Sequence, residues 1–168
     1  MKKLIYLFSI IAVTVAFGSC SKSDSDHLPK IANSRQTVQI RAYAGDQTQK
    51  ELIFDLKDFA ALEGLVKSVS SAEIQTNSYI EVTGVSGDVQ LTDVTLTMAS
   101  NSRNTLKIDD ITGNMKLNGM SHLTFLNHIV DELGKRRSPK VYLSYKAAKD
   151  ISTPISFTIY LEAKFEFK

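Results

Sequence analysis

Residues 155–167, ISFTIYLEAKFEF, alternate without interruption. Ile155, Phe157, Ile159, Leu161, Ala163, Phe165 and Phe167 occupy one parity, and Ser156, Thr158, Tyr160, Glu162, Lys164 and Glu166 the other. A period of two places all seven apolar residues on one face of an extended chain and the polar residues on the opposite face. A strand of this kind is buried on one side and wet on the other, which is the signature of an antiparallel sheet packed on a core. Such a strand cannot stand alone, so the rest of the chain must supply its partners and the layer that covers its apolar face.

The remaining patterns supply them. Val38, Ile40 and Ala42 alternate with Gln39, Arg41 and Tyr43, Ala44-Gly45-Asp46-Gln47 is a turn signal, and Glu51-Leu52-Ile53-Phe54 reads as a returning strand. Across 57–69 the period changes: Phe59, Leu62, Leu65, Val66 and Val69 fit one helical face, with Asp55 or Asp58 as cap. Strands return at 78–84 and 88–98, and in the second the apolar phase slips between Leu91 and Val94, which predicts a bulge at Thr92-Asp93. Residues 104–117 read as two short strands around Gly113, and Asn118-Gly119 as a turn. A second helix is expected from Ser121, with Leu123, Leu126, Ile129, Val130 and Leu133 as its stripe and Gly134 as its stop. Val141, Leu143 and Tyr145 begin another strand. The sum is a mainly β protein, an antiparallel, immunoglobulin-like β-sandwich with two short helices. The competing arrangements are a half-open barrel and an α+β fold with both helices on one face of an antiparallel sheet.

The N-terminus has a different character. Met1-Lys2-Lys3 is followed by the uncharged run Leu4 to Phe17 and then by Gly18, Ser19 and Cys20. A basic start, a short apolar stretch and small residues form a secretory signal layout, and the stretch falls short of the roughly 20 residues of a membrane span. Cys20 is the sole cysteine of the chain, so no internal disulfide can form. A reactive thiol needs a structured electropositive pocket, whereas the sequence sets Cys20 between the signal and a polar tail.

Phe17-Gly18-Ser19-Cys20 resembles the lipobox of bacterial lipoproteins, with Phe17 where leucine is usual. The resemblance implies cleavage before Cys20, a diacylglyceryl group on its sulfur and an acyl chain on its new amine. Several acyl chains on one residue make a durable anchor, whereas one chain holds only marginally. Ser21 after the cysteine implies, by the same resemblance, sorting to the outer membrane. Lys22-Ser23-Asp24-Ser25-Asp26 is similar to the acidic export signal of Bacteroides-type surface lipoproteins, and equally to a solvated tether, so the cell surface and the periplasmic face both remain open. The expected organisation is a signal peptide at 1–19, a lipidated tether at 20–36 and one β-rich domain at 37–168.

Loss of Lys2 and Lys3 with the signal lowers Lys+Arg from 20 to 18, equal to the 18 Asp+Glu. The mature body is formally neutral and has no overall attraction to nucleic acid. Its densest charge cluster is Lys135-Arg136-Arg137 with Lys140, a candidate anionic docking patch for phosphate, glycan carboxylate or lipid headgroups. A solvated loop that complements the dipole of the preceding helix explains the same residues. His128 and Asp131, three apart on the expected helix and near Ser121, would be the centre of a small hydrolase, but no nucleophile elbow accompanies them. His122 and His128 do not share a helical face, and Asp109, Asp110 and Asn114 miss the spacing of a calcium loop. The expectation is therefore a non-enzymatic envelope lipoprotein with no metal and no cofactor beyond its acyl chains. It would present a binding or scaffolding surface to a glycan, protein or adhesion partner. The alternatives are a carrier of an apolar ligand and the hydrolase centred on His128.

Overall fold

A computed structural model describes residues 28–86 and 90–168. In chain order its elements are β1 (Lys30–Ala42), β2 (Gln47–Ile53), β3 (Val69–Ile74), β4 (Tyr79–Thr83), β5 (Leu91–Met98), β6 (Asn101–Lys107), β7 (Met115–Leu117), α1 (Met120–Gly134), β8 (Lys140–Ala147) and β9 (Ile151–Phe167). The strands form two antiparallel sheets, β1-β9-β4-β7 with β3 also beside β9, and β2-β8-β5-β6. The signal segment, the lipobox Phe17-Gly18-Ser19, Cys20 and the first part of the tether lie outside the described residues. Among those residues no helix is long and apolar enough to cross a membrane.

The alternating segment becomes β9, the spine of the first sheet. β1 pairs with it along almost its whole length, from Lys30 opposite Phe165 to Ala42 opposite Ile151. β4 and β3 share its other edge, with Tyr79 opposite Tyr160 and Ala72 opposite Phe165. Ile155, Phe157, Ile159, Leu161, Ala163 and Phe165 are all buried, as the period requires. The ladder to β1 breaks between Ile40 and Ala42, opposite Thr153-Pro154, where proline has no N–H to give.

The antiparallel sandwich is as expected, but its path is that of a jelly roll rather than an immunoglobulin domain. β1 pairs with β9, β2 with β8, β4 with β7 and β5 with β6. These pairs are nested, as in one long hairpin, and the contacts β4·β9 and β5·β8 roll that hairpin into two sheets. Alternation along a strand dictates which face is buried and leaves its partner unspecified, so the sequence pattern could not separate the two paths.

Three expectations need correction. The first helix is absent: residues 57–69 form short 3₁₀ turns at Leu56–Asp58, Ala60–Leu62 and Val66–Ser68. Leu56, Phe59 and Leu62 are buried at a spacing of three, which is the period of a 3₁₀ turn, and Gly64 at φ 77° interrupts any longer helix. Asp55 does cap the first turn, accepting from the Lys57 N–H at 3.0 Å, while the Asp58 carboxylate accepts from the Asp55 N–H at 2.9 Å. The domain also begins seven residues before position 37, at Lys30, because the inward positions there are the small Ala32 and Ser34, which carry little hydropathic signal. Finally, α1 starts at Met120 behind Gly119 and has no side-chain cap, so Ser121 does not cap it. The phase slip in β5 is borne out: register shifts between Thr92 and Thr95, and Asp93 sits at φ 52°.

The inner faces fill the space between the sheets. Ile40, Val82, Phe157 and Ile159 from one sheet meet Leu52, Leu96, Met98, Val141 and Leu143 from the other, all buried. Leu126, Ile129, Val130 and Leu133 of α1 are fully buried as well, which occupies the helix–sheet space an apolar ligand would need.

Candidate functional site

α1 ends in Glu132-Leu133-Gly134, and Lys135-Arg136-Arg137 follow directly as the chain leaves the helix. The Arg137 N–H reaches the Glu132 carbonyl at 3.0 Å, and the Arg136 N–H the Leu133 carbonyl at 2.8 Å, which is a Schellman ending. Its left-handed position is normally glycine, yet here Arg136 occupies it at φ 59°. Glycine instead sits two residues earlier, at Gly134, where a Cβ would lie 2.6 Å from the Ala72 backbone nitrogen. The helix does end at Gly134 as the sequence reading expects, but the glycine there permits close approach to Ala72, and the left-handed turn itself falls to Arg136.

The Arg136 guanidinium donates to the Lys67 carbonyl at 3.1 Å, tying the end of α1 to the third 3₁₀ turn. Between them opens a shallow groove of about 290 Å³, lined by Asp55, Leu56, Lys57, Val66, Lys67, Arg136, Arg137 and Ser138. Four of these residues are cations and one is a carboxylate. Asp55 is held below the usual carboxylate range, chiefly by the Lys57 N–H and then by the Ser138 hydroxyl at 2.9 Å, so it stays charged with both oxygens already accepting bonds.

The cluster expected to act together is divided by the structure. Lys135 turns back to Asp131 at 2.6 Å, and Lys140 crosses to Glu51 at 3.3 Å. Neither lines the groove. Arg136 and Arg137 do, although Arg137 is shared with Glu132 at 3.0 Å. Exposed pairs of this kind contribute about 0–1 kcal/mol and release their cations readily to a competing anion. Lys57 and Lys67 complete the groove and were missed, since they lie about 70–80 residues upstream and only the fold brings them to the helix end. Among the described residues Lys57, Lys67 and Arg136 have no carboxylate within ion-pair distance.

No family model matches this sequence, and no curated protein matches it. Among solved structures, the chain is similar to one from Desmodium yellow mottle tymovirus, with a TM-score of 0.44 at 13% identity over 83% of this chain and 82% of that one. Turnip yellow mosaic virus at 100 K gives 0.38 at 14% identity, over 83% and 94% respectively. The jelly-roll path of this chain is defined by its own nested strand pairing.

The other residues singled out in the sequence are separated or engaged elsewhere. Asp131 is paired with Lys135, and His128 lies in a different open groove with Ser121, Thr124 and Arg103, with no hydrogen bond to Asp131. Asn114 accepts from the Val85 N–H at 3.0 Å and Asp110 from Gln90 at 3.4 Å. Among the described residues no group of three or more His, Cys, Asp or Glu is placed to hold a metal ion.

Proposed function

We propose that the chain is a non-enzymatic cell-envelope lipoprotein, a jelly-roll module held at the outer membrane through acylated Cys20, whose groove at the end of α1 binds the anionic groups of an envelope glycan. The observation that carries the binding reading is Arg136. A left-handed arginine where glycine would be less strained costs about 1 kcal/mol of backbone energy. Strain kept at an exposed side chain beside two further unpaired cations is a mark of function. The lipobox residues carry the anchor.

The two halves of the proposal are tested separately. Radiolabelled palmitate should enter the wild type in cells and not Cys20→Ala, and label retained by the variant would refute the anchor. Protease shaving of intact cells then distinguishes the surface from the periplasmic face. For the groove, the probe is polygalacturonate against its methyl ester, which removes the charge and keeps the polymer. The acidic form should bind more tightly, and increasingly less so as salt is raised. Arg136→Gly should weaken that binding about tenfold or more, the loss of one charge-assisted contact. Its stability should stay within about 1 kcal/mol of wild type in urea titration, because relief of the left-handed strain offsets loss of the hydrogen bond to the Lys67 carbonyl. Equal affinity for the two polymers, or wild-type affinity in Arg136→Gly, would sink the groove as the site.

A further inference from the structure

At the opposite end of the β2·β8 ladder lies a second groove of different chemistry. That ladder runs from Ile53 opposite Lys140, beside the cationic groove, to Gln47 opposite Lys146. Just beyond Gln47, the β1–β2 turn presents Tyr43 with 74% of its surface exposed. Tyr43 lines a groove of about 400 Å³ together with Arg41, Ala42, Asp46, Asp150, Ile151 and Ser152.

The backbone that carries the ring is tied from several directions. The Gly45 N–H reaches the Ala147 carbonyl at 2.8 Å, the Ala147 N–H returns to the Asp46 carbonyl at 3.3 Å, and the Asp46 N–H closes on the Tyr43 carbonyl at 3.1 Å. Two carboxylates brace the same turn: Asp150 Oδ1 accepts from the Ala44 N–H at 2.8 Å, and Asp46 Oδ2 from the Tyr43 N–H at 3.4 Å. Gly45, at φ 85°, supplies the left-handed residue. A large apolar ring left in water on an unbraced loop would need no account, because it could fold back onto the surface. Here the turn fixes where the ring starts, between two groups that each keep one carboxylate oxygen free of these bonds.

We propose that this groove is a binding site for a neutral pyranose sugar, independent of the cationic groove. A pyranose has a flat face of C–H groups that stacks on a phenol ring and a rim of vicinal hydroxyls. Asp46 and Asp150 accept from those hydroxyls, and Arg41 and Ser152 donate to their oxygens, all in charge-assisted or hydroxyl hydrogen bonds. Two carboxylates against one guanidinium disfavour an anionic ligand, so the sugar acids drawn to Arg136 are excluded here. The rival chemistry for a ring flanked by carboxylates is an organic ammonium ion. A quaternary ammonium ion would use the ring and the carboxylates but leave the Arg41 and Ser152 donors unanswered, whereas a sugar engages donors and acceptors alike, which favours the uncharged sugar.

The chain contains no tryptophan, so two-dimensional NMR of the backbone amides of the mature protein is the suitable readout. The probes are the methyl glycosides of glucose, galactose, mannose and N-acetylglucosamine, with tetramethylammonium as the cationic control. At least one glycoside should give saturable shifts confined to Tyr43–Asp46 and Asp150–Ser152. Tyr43→Ala should weaken it roughly tenfold or more with an unchanged melting temperature, since the ring buries little in the free protein. Tyr43→Phe should retain binding, and Arg136→Gly should leave it untouched. No saturable shifts with any glycoside, shifts that survive Tyr43→Ala, or a preference for tetramethylammonium would overturn the assignment. None of these results bears on polygalacturonate binding, which reports the other groove.

Discussion

Gly134→Ala is expected to destabilise the protein by about 1–3 kcal/mol, the cost of forcing an extra carbon into a packed site. The sign runs against propensity, because alanine is favoured over glycine in a helix interior by about 1 kcal/mol. What reverses it is β3. The new Cβ would sit 2.6 Å from the Ala72 backbone nitrogen and 3.2 Å from both the Ala72 Cβ and the Ser71 carbonyl carbon. Backbone atoms paired in a sheet cannot step aside as a flexible side chain does: Ala72 is in register with Phe165 and Ser71 with Glu166. The helix end must therefore lift. Urea titration measures the loss, and an unchanged or raised midpoint would show that α1 does not sit as close to β3 as the structure has it.

The functional consequence follows from what is attached to that helix end. Arg136 reaches the Lys67 carbonyl only because α1 comes down onto the strand that follows Lys67. Gly134→Ala should accordingly weaken anion binding along with stability, whereas Arg136→Gly separates the two. A groove assembled by a close helix–strand contact loses affinity whenever that contact opens, without any cation being removed.

How much of this was legible in the sequence depends on the range of the cause. Local periodicity identified β9, the 44–47 turn, the β5 bulge and the buried stripe of α1, because each is decided by which residues must face inward. The same logic failed where the inward residues were small, as with Ala32 and Ser34, and where two periods fitted one segment. Leu56, Phe59 and Leu62 at a spacing of three are a 3₁₀ pattern, whereas Phe59, Leu62, Leu65, Val66 and Val69 taken without Leu56 fit an α-helical face. Pairing was not legible at all: among the described strand pairs only β5·β6 joins sequence neighbours, so the jelly-roll path is set by long-range packing. The site divides in the same way. Arg136 and Arg137 stood out as a local charge cluster, while the contributions of Lys57 and Lys67 and the diversion of Lys135 and Lys140 are consequences of the fold. Cys20 and its lipobox are read from sequence alone and lie outside the described residues.

Phe165→Ala is expected to cost about 3–5 kcal/mol, the range for emptying a buried phenylalanine site, and to lower the melting temperature by roughly 10 °C or more. Phe165 is completely buried at the point where β9 is flanked by β1 and β3 together, opposite Lys30 and Ala72. Its ring meets Phe59 edge-on, with centroids 5.0 Å apart and planes at 72°, an arrangement that adds to the area it buries. Phe59 joins the first two 3₁₀ turns, so the cavity opens directly beneath the segment that carries Asp55 and Lys57. Lys164→Ala is the matched control. It changes the neighbouring residue on the wet face of the same strand and should stay within about 0.5 kcal/mol of wild type. Comparable losses in the two variants would mean that the alternation does not separate a buried face from a wet one. Binding then provides the sharper discrimination. Phe165→Ala, assayed well below its melting temperature, should lose polygalacturonate affinity because the Lys57 side of the groove has lost its support. The Tyr43 groove, mounted on the β1–β2 turn at the other end of the sandwich, should keep its sugar.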